Sequence, residues 1–243
     1  MCYATNVDQP SGSEVVTPPD RRARRRQETI EEILDIAEAV MTEAGVNGLS
    51  LSEVARRLGV QPPSIYKYFD SLMAVYDALF RRGQTAHVKV LAAAMDQEEP
   101  GLDSLLAGLE ASGQWCMAHP PLAQLLFWRP VPSFEPSAES MTPSVEMVNL
   151  QRRALANAVV ARQLGPGADS DEALYLVSVI VSGVIGQALA NEPHLPWARA
   201  DSRRCCRSSS TCWSACIPRS RARRDGDSQT LSADLTGLDP AAT

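Results

Sequence analysis

The sequence lacks the short signatures on which most enzymatic chemistry rests. It has no glycine-rich phosphate loop, no HExxH and no GxSxG, so no nucleophile or base has a motif to stand on and no enzyme is expected. Histidine occurs three times. His87, His119 and His194 lie far apart without ligand spacing, so no metal site and no cofactor is expected. The six cysteines do not form the framework of a small secreted domain. Cys205, Cys206, Cys212 and Cys216 crowd into one stretch that fits no standard zinc spacing, while Cys2 and Cys116 stand alone. Uninterrupted apolar runs of about 18 residues, the length of a membrane span, are missing. The best candidate, residues 173–190, contains Tyr175, Ser178, Ser182, Gly183, Gly186 and Gln187 and reads as a buried core helix. The chain does not open on a charged start followed by an apolar stretch, so no secretory signal or membrane partner is expected and the cytoplasm is the expected compartment.

What is present is helical periodicity and uneven charge. The net charge is −6, yet its distribution says more than its sum. Residues 21–90 carry 11 basic and 9 acidic groups, including the run Arg21, Arg22, Arg24, Arg25 and Arg26, whereas residues 91–200 carry 5 basic and 12 acidic groups. Residues 1–22, rich in proline, serine and glycine, read as a disordered arm. From Arg26 onward, Ile30, Ile33, Leu34, Ala37, Val40, Met41 and Ala44 repeat at the spacing of one helix face, and Gly45 ends that helix. Ser50 and Glu53 have capping-box spacing before a short helix through Leu58. Pro62 and Pro63 open a third, because first-turn N–H groups have no intrahelical partner to lose. Ser71 caps a fourth helix that reaches about Met95. Further helices are expected over 102–118, 120–128, from Met141 or Pro143 to Leu164, and from Ser170 to Asn191. No strand and no internal repeat is evident. The fold class is all-α: an N-terminal three-helix helix-turn-helix domain and a C-terminal helical bundle, about nine helices in all.

The pair of short helices joined at Gly59 and Val60 carries the chemistry. Ala55 is small enough for two helices to cross, and Gly59 tolerates the left-handed turn. The second helix of such a pair presents its leading end to a DNA major groove. The run from Thr29 to Leu79 resembles the DNA-binding domain of the TetR family. Thr29, Ile33, Ala37, Ala44 and Gly45 match, as do Leu49 through Ala55, Leu58 through Val60, Ser64 through Phe69, and Ser71. The resemblance implies that Gln61, Pro62, Pro63 and Ser64 face bases and that Ser50, Tyr66, Lys67 and Tyr68 face the phosphate backbone, with Phe69 in the core. Arg56 and Arg57 read as a solvated face. Many members carry a lysine after the serine that starts the fourth helix, whereas Leu72 follows Ser71 here, so that contact is not carried over.

The domain plan is an arm (1–22), a helix-turn-helix domain (26–86), an effector-binding and dimerisation domain (87–200) and an atypical tail (201–243). Trp115, Phe127, Trp128, Met147 and Tyr175 are candidates for an effector pocket, since helical bundles hold ligands between helices. Leu174, Val177, Val181 and Ile185 are candidates for a two-fold interface. The implied function is a homodimeric transcription regulator, a repressor of double-stranded operator DNA released by a small-molecule effector. The alternative is a helical protein-interaction adaptor whose helix-turn-helix no longer reads DNA. The arginine-, serine- and cysteine-rich tail reads as the product of a reading-frame shift, because such codons in another frame give leucine, valine and methionine. Resequencing the source gene tests this: homologous genes that keep the present frame would rule it out.

Overall fold

The computed structural model describes residues 18–200, with side chains from Arg21 onward. The tail from residue 201 and most of the expected arm lie outside the described residues. Seven α-helices follow in order: α1 (Pro18–Ala44), α2 (Leu51–Leu58), α3 (Leu72–Met95), α4 (Leu102–Ala118), α5 (Pro120–Phe127), α6 (Thr142–Val160) and α7 (Asp171–Asn191). Single 3-10 turns occupy Val46–Gly48, Pro62–Lys67 and Trp197–Arg199, and no strand occurs among the described residues.

Two boundaries differ from the periodicity. Helix α1 begins eight residues before Arg26, so residues 18–22 are helical and the arginine run is part of a helix, not of a disordered arm. Arginine is a good helix former, and Arg24 pairs with Glu28 one turn on at 3.3 Å. Apolar periodicity cannot register such a turn because nothing in it is buried. Helix α6 stops at Val160, short of Leu164, where Arg162 turns left-handed (φ 58°). That turn frees Gln163 to cap the next layer. Its Oε1 accepts the N–H of Leu102 at 2.9 Å, and it occupies the space a Cβ on Gly101 (φ 142°) would need.

Helix α3 is the axis of the molecule. Val75, Tyr76, Leu79 and Phe80 near its start join a core with Ile33, Ala37, Val40 and Met41 of α1, Val54 and Ala55 of α2, and Leu122 and Leu125 of α5. Leu91 and Met95 near its end join a second cluster with Leu105, Leu109, Leu155 and Val177. The domain division expected at residue 87 therefore falls inside one continuous helix. The connection between α5 and α6 is tied to α3 by polar contacts. Asp77 accepts from Ser137 N–H (2.7 Å), Ser137 Oγ (2.9 Å) and Ser140 Oγ (2.9 Å), and Arg81 pairs with Glu139. Partial burial pushes the Asp77 carboxyl up, but the hydrogen bonds from Ser137 and Ser140 prevail and hold it below the usual range.

Helix α7, expected as a buried core helix, is buried on one face only. By length and composition it could cross a membrane, and only 28% of its apolar stretch is buried. One such helix is weak evidence of a span, because an apolar core helix passes the same test of length and composition. Here Leu174, Val177, Ile185 and Ala188 face the interior, while Tyr175 and Val179 are exposed.

His87 sits where α3 crosses α4, 1% exposed, with Nε2 2.7 Å from Ser112 Oγ and the rings of Trp115 and Phe127 against it. Burial pulls its pKa down from 6.5 to about 4. The folded state therefore keeps it neutral where the unfolded chain takes up a proton. Stability is full above pH 6.5 and is lost as pH falls from there toward 4. Linkage puts the loss from this group between pH 7 and pH 5 at roughly 2 kcal/mol. Urea unfolding at the two pH values should show it, and His87→Phe should remove that part of the pH dependence.

Candidate nucleic-acid interface

The interface is built on a sharp turn between two short helical segments. Ser50 starts α2 as its cap, its Oγ accepting the Glu53 N–H at 3.3 Å. The reciprocal half of the capping box is not made, because the Glu53 carboxylate is held by Arg56 (2.7 and 2.8 Å) and Arg57 (2.7 Å). Arg57 also grips Glu43 of α1 at 2.6 and 2.8 Å. The hydrogen bonds from Arg56 and Arg57 hold the Glu53 pKa at about 2, and those that Arg57 donates to Glu43 and Glu53 raise the pKa of its guanidinium further. The expected solvated face is true of Arg56, whose side chain is 70% exposed, but Arg57 at 26% is a strut between α1 and α2.

Gly59 ends α2 in the left-handed conformation (φ 75°, ψ 24°). Val60 N–H donates to the Ala55 carbonyl at 2.9 Å and Gly59 N–H to the Arg56 carbonyl at 3.3 Å, the bond pair that closes a helix and reverses the chain. Gln61 is extended, and Pro62–Lys67 winds as a 3-10 turn, not as an α-helix. Ser64 N–H closes that turn on the Gln61 carbonyl at 2.8 Å. With two of its six residues lacking N–H groups, the segment has few donors for α-type bonds. Ile65 (0% exposed) and Phe69 (7%) anchor it in the core. Gln61, Pro63, Tyr66 and Lys67 are exposed, and Pro62, Ser64 and Tyr68 are half-buried. From above, Tyr76 of α3 donates its hydroxyl to the Val46 carbonyl at 2.6 Å, tying the α1–α2 connection to α3. Burial raises the Tyr76 pKa. Sequence reasoning missed this bond and the Arg57 strut, since each joins residues far apart in the chain.

The family model for bacterial regulatory proteins, tetR family, matches residues 33–79, which span the cap, the turn and the anchored segment. Residues 33–79 are thus similar to the helix-turn-helix domain of that family. A Bacillus subtilis (strain 168) protein, the uncharacterized HTH-type transcriptional regulator YobS, is 38% identical over 53 residues, which are 22% of this chain and 28% of that one. The chain thus matches little more than a quarter of that curated relative's length. A protein of unknown function from Rhodococcus sp. RHA1 superposes with a TM-score of 0.64 at 22% identity, over 77% of this chain and 94% of that one. The transcriptional regulator FadR from Bacillus subtilis, solved with stearoyl-CoA, gives 0.59 at 16%, over 74% and 95%. At these identities the likeness is one of fold, and it extends beyond the helix-turn-helix into the bundle.

The remaining candidates, in the helical bundle, are not all brought together. Trp115, Phe127 and Trp128 form a ladder of ring contacts around His87. Met147 packs, half-buried, against the second core cluster, and Tyr175 stands 73% exposed on the outer face of α7. Four surface grooves of about 400 to 570 Å³ open on the described residues, and none of the four is lined by these five side chains. The expected interface residues are corrected too. Leu174, Val177 and Ile185 are buried inside the chain's own core, and Val181 packs against both clusters. They pack against this chain's own core because α7 turns that face toward α4 and α6.

A Cβ on Gly59 would meet no atom within 4 Å, so replacing it costs backbone conformation alone. Gly59→Ala should lower the unfolding free energy by about 1–2 kcal/mol and Gly59→Asn by less, measured by urea denaturation.

Proposed function

We propose that the chain is a sequence-specific DNA-binding transcription regulator, a repressor released by a small-molecule effector. The observation that carries this reading is the exposed face of residues 61–68 on a segment whose underside is locked by Ile65 and Phe69. A groove reader needs polar side chains held rigidly outward, and the TetR match covers this segment. On this reading Gln61, Pro62, Pro63 and Ser64 meet base edges. Ser50, Tyr66, Lys67 and Tyr68 meet phosphates, with the Ser50 hydroxyl still free to donate while its oxygen caps α2. The prolines, without N–H groups, read shape and thymine methyls.

A homodimer follows from the same reading, since a two-fold pair sets two recognition segments about 34–36 Å apart on a palindromic site. The outer face of α7 supports it: Tyr175 and Val179 are exposed, and Ile180, Gly183 and Val184 line a shallow groove beside them. The exposed face replaces the inward one as the interface. Release acts by population shift, the effector favouring a conformer whose spacing mismatches the operator. The ring ladder around His87 is the part of the bundle best suited to sense it. FadR, which shares the fold, was solved with stearoyl-CoA, which supports an apolar small molecule as the effector class. The compartment on this reading is the cytoplasm, where the DNA is.

Selection of duplexes from a random pool by the full chain, followed by gel retardation, tests the reading. One palindromic consensus should emerge. Tyr66→Ala with Lys67→Ala should lose most of the retardation and reduce the salt dependence by about one unit per phosphate contact removed. Absence of any enriched sequence, with the fold intact, would count against DNA recognition and for the adaptor alternative. Val179→Glu should shift the dimer toward monomer, raising its dissociation constant on the order of 100-fold in sedimentation equilibrium, because the charge loses its water on association.

A further inference from the structure

Five arginines crowd the first turns of α1, and charge alone would assign them all to phosphates. The contacts distinguish one of them. Arg26 Nη1 donates to the main-chain carbonyl of Lys67 at 2.9 Å, and its guanidinium carbon lies 5.2 Å from the centre of the Tyr68 ring. We propose that Arg26 is a positioning residue of the DNA interface, which clamps the far end of the recognition segment to α1 and makes no phosphate contact of its own. The inference rests on the DNA-binding reading for its consequence, but the clamp itself is a property of the free protein.

The physical need is specific. The leading end of the segment is fixed by the turn at Gly59 and its middle by Ile65. Its trailing end is a 3-10 turn, in which Tyr68 and Phe69 N–H both return to the Ile65 carbonyl. The Lys67 carbonyl is at the negative end of this turn, where a cation and a donor are both favoured. Arginine supplies both in one group and can lay its plane on an aromatic ring while donating from its edge, which the point charge of lysine cannot do. With Arg26 spent in this way, Tyr68 is half-buried while Tyr66 and Lys67 stay exposed. Arg22 lies one turn earlier on the same face of α1, about 6 Å further along, and is exposed. It is the natural comparison: the same charge on the same face, without the clamp.

Full-chain Arg26→Ala, Arg26→Lys and Arg22→Ala test the assignment by two measurements. In hydrogen exchange without DNA, the amides of Lys67 to Phe69 should exchange about tenfold faster in both Arg26 variants, as expected for loss of one charged hydrogen bond with its stacking, and unchanged in Arg22→Ala. In titrations of a duplex of about 30 base pairs selected by the wild-type protein, Arg26→Ala should bind about tenfold more weakly at every salt concentration with an unchanged log–log slope. Arg22→Ala should lower that slope by about one. A slope reduced by one in Arg26→Ala, wild-type binding by Arg26→Lys, or unchanged exchange at Lys67 to Phe69 would overturn the proposal. If the wild-type protein selects no duplex, the DNA-binding reading fails, and the exchange measurement alone still decides the clamp.

Discussion

A short segment that displays polar side chains to a partner has too few internal hydrogen bonds to hold its own shape. It must be fastened from below. Ile65 and Phe69 do this here, with the floor of the first core beneath them. With those two side chains buried, Gln61, Pro63, Tyr66 and Lys67 stand on the outer side of the segment. The Gly59 turn, the Ser50 cap and the Arg57 strut keep that floor in place, and each acts on backbone or charge and not on the displayed residues themselves.

The same core is continuous with the bundle through α3. Tyr76 reaches down to the Val46 carbonyl, and Phe134 of the α5–α6 connection packs against the Tyr76 and Phe80 rings. Asp77 and Arg81 tie that connection to the next turn of the same helix. A shift of the connection would therefore be felt at the α1–α2 corner through packed rings and one buried hydrogen bond, a short path between the bundle and the interface. On the other side of the bundle, Tyr175 and Val179 of α7 are exposed among the described residues.

Much of this was legible from residue order. The stripe from Ile30 to Met41, the Ser50, Ser71 and Ser170 caps and the Gly59 stop all express local rules, in which a side chain acts on backbone within four residues of itself. They placed the helices to within a residue or two wherever apolar periodicity marked the ends. They failed at the start of α1, where an all-polar helical turn has no periodicity to read, at the end of α6, which stops four residues before Leu164, and at the Pro62–Lys67 segment, where helix and 3-10 turn share the same signals. The candidate site was legible through the resemblance, which singled out Ser50, Gln61 through Ser64 and Tyr66 through Tyr68; the burial of Ile65 and Phe69 accounts for which of them stand outside.

By itself the sequence determined the all-α class, the order of the helices and the displayed segment, because each depends on spacings shorter than two turns. Tertiary structure alone decided which face of α7 lies inside, which arginines are struts or clamps, and which aromatic residues meet. Those outcomes depend on pairs such as Arg26 with Lys67, Arg57 with Glu43 and Tyr76 with Val46. Their partners come together only when helices far apart in the chain pack, and no local pattern encodes the angle at which they do.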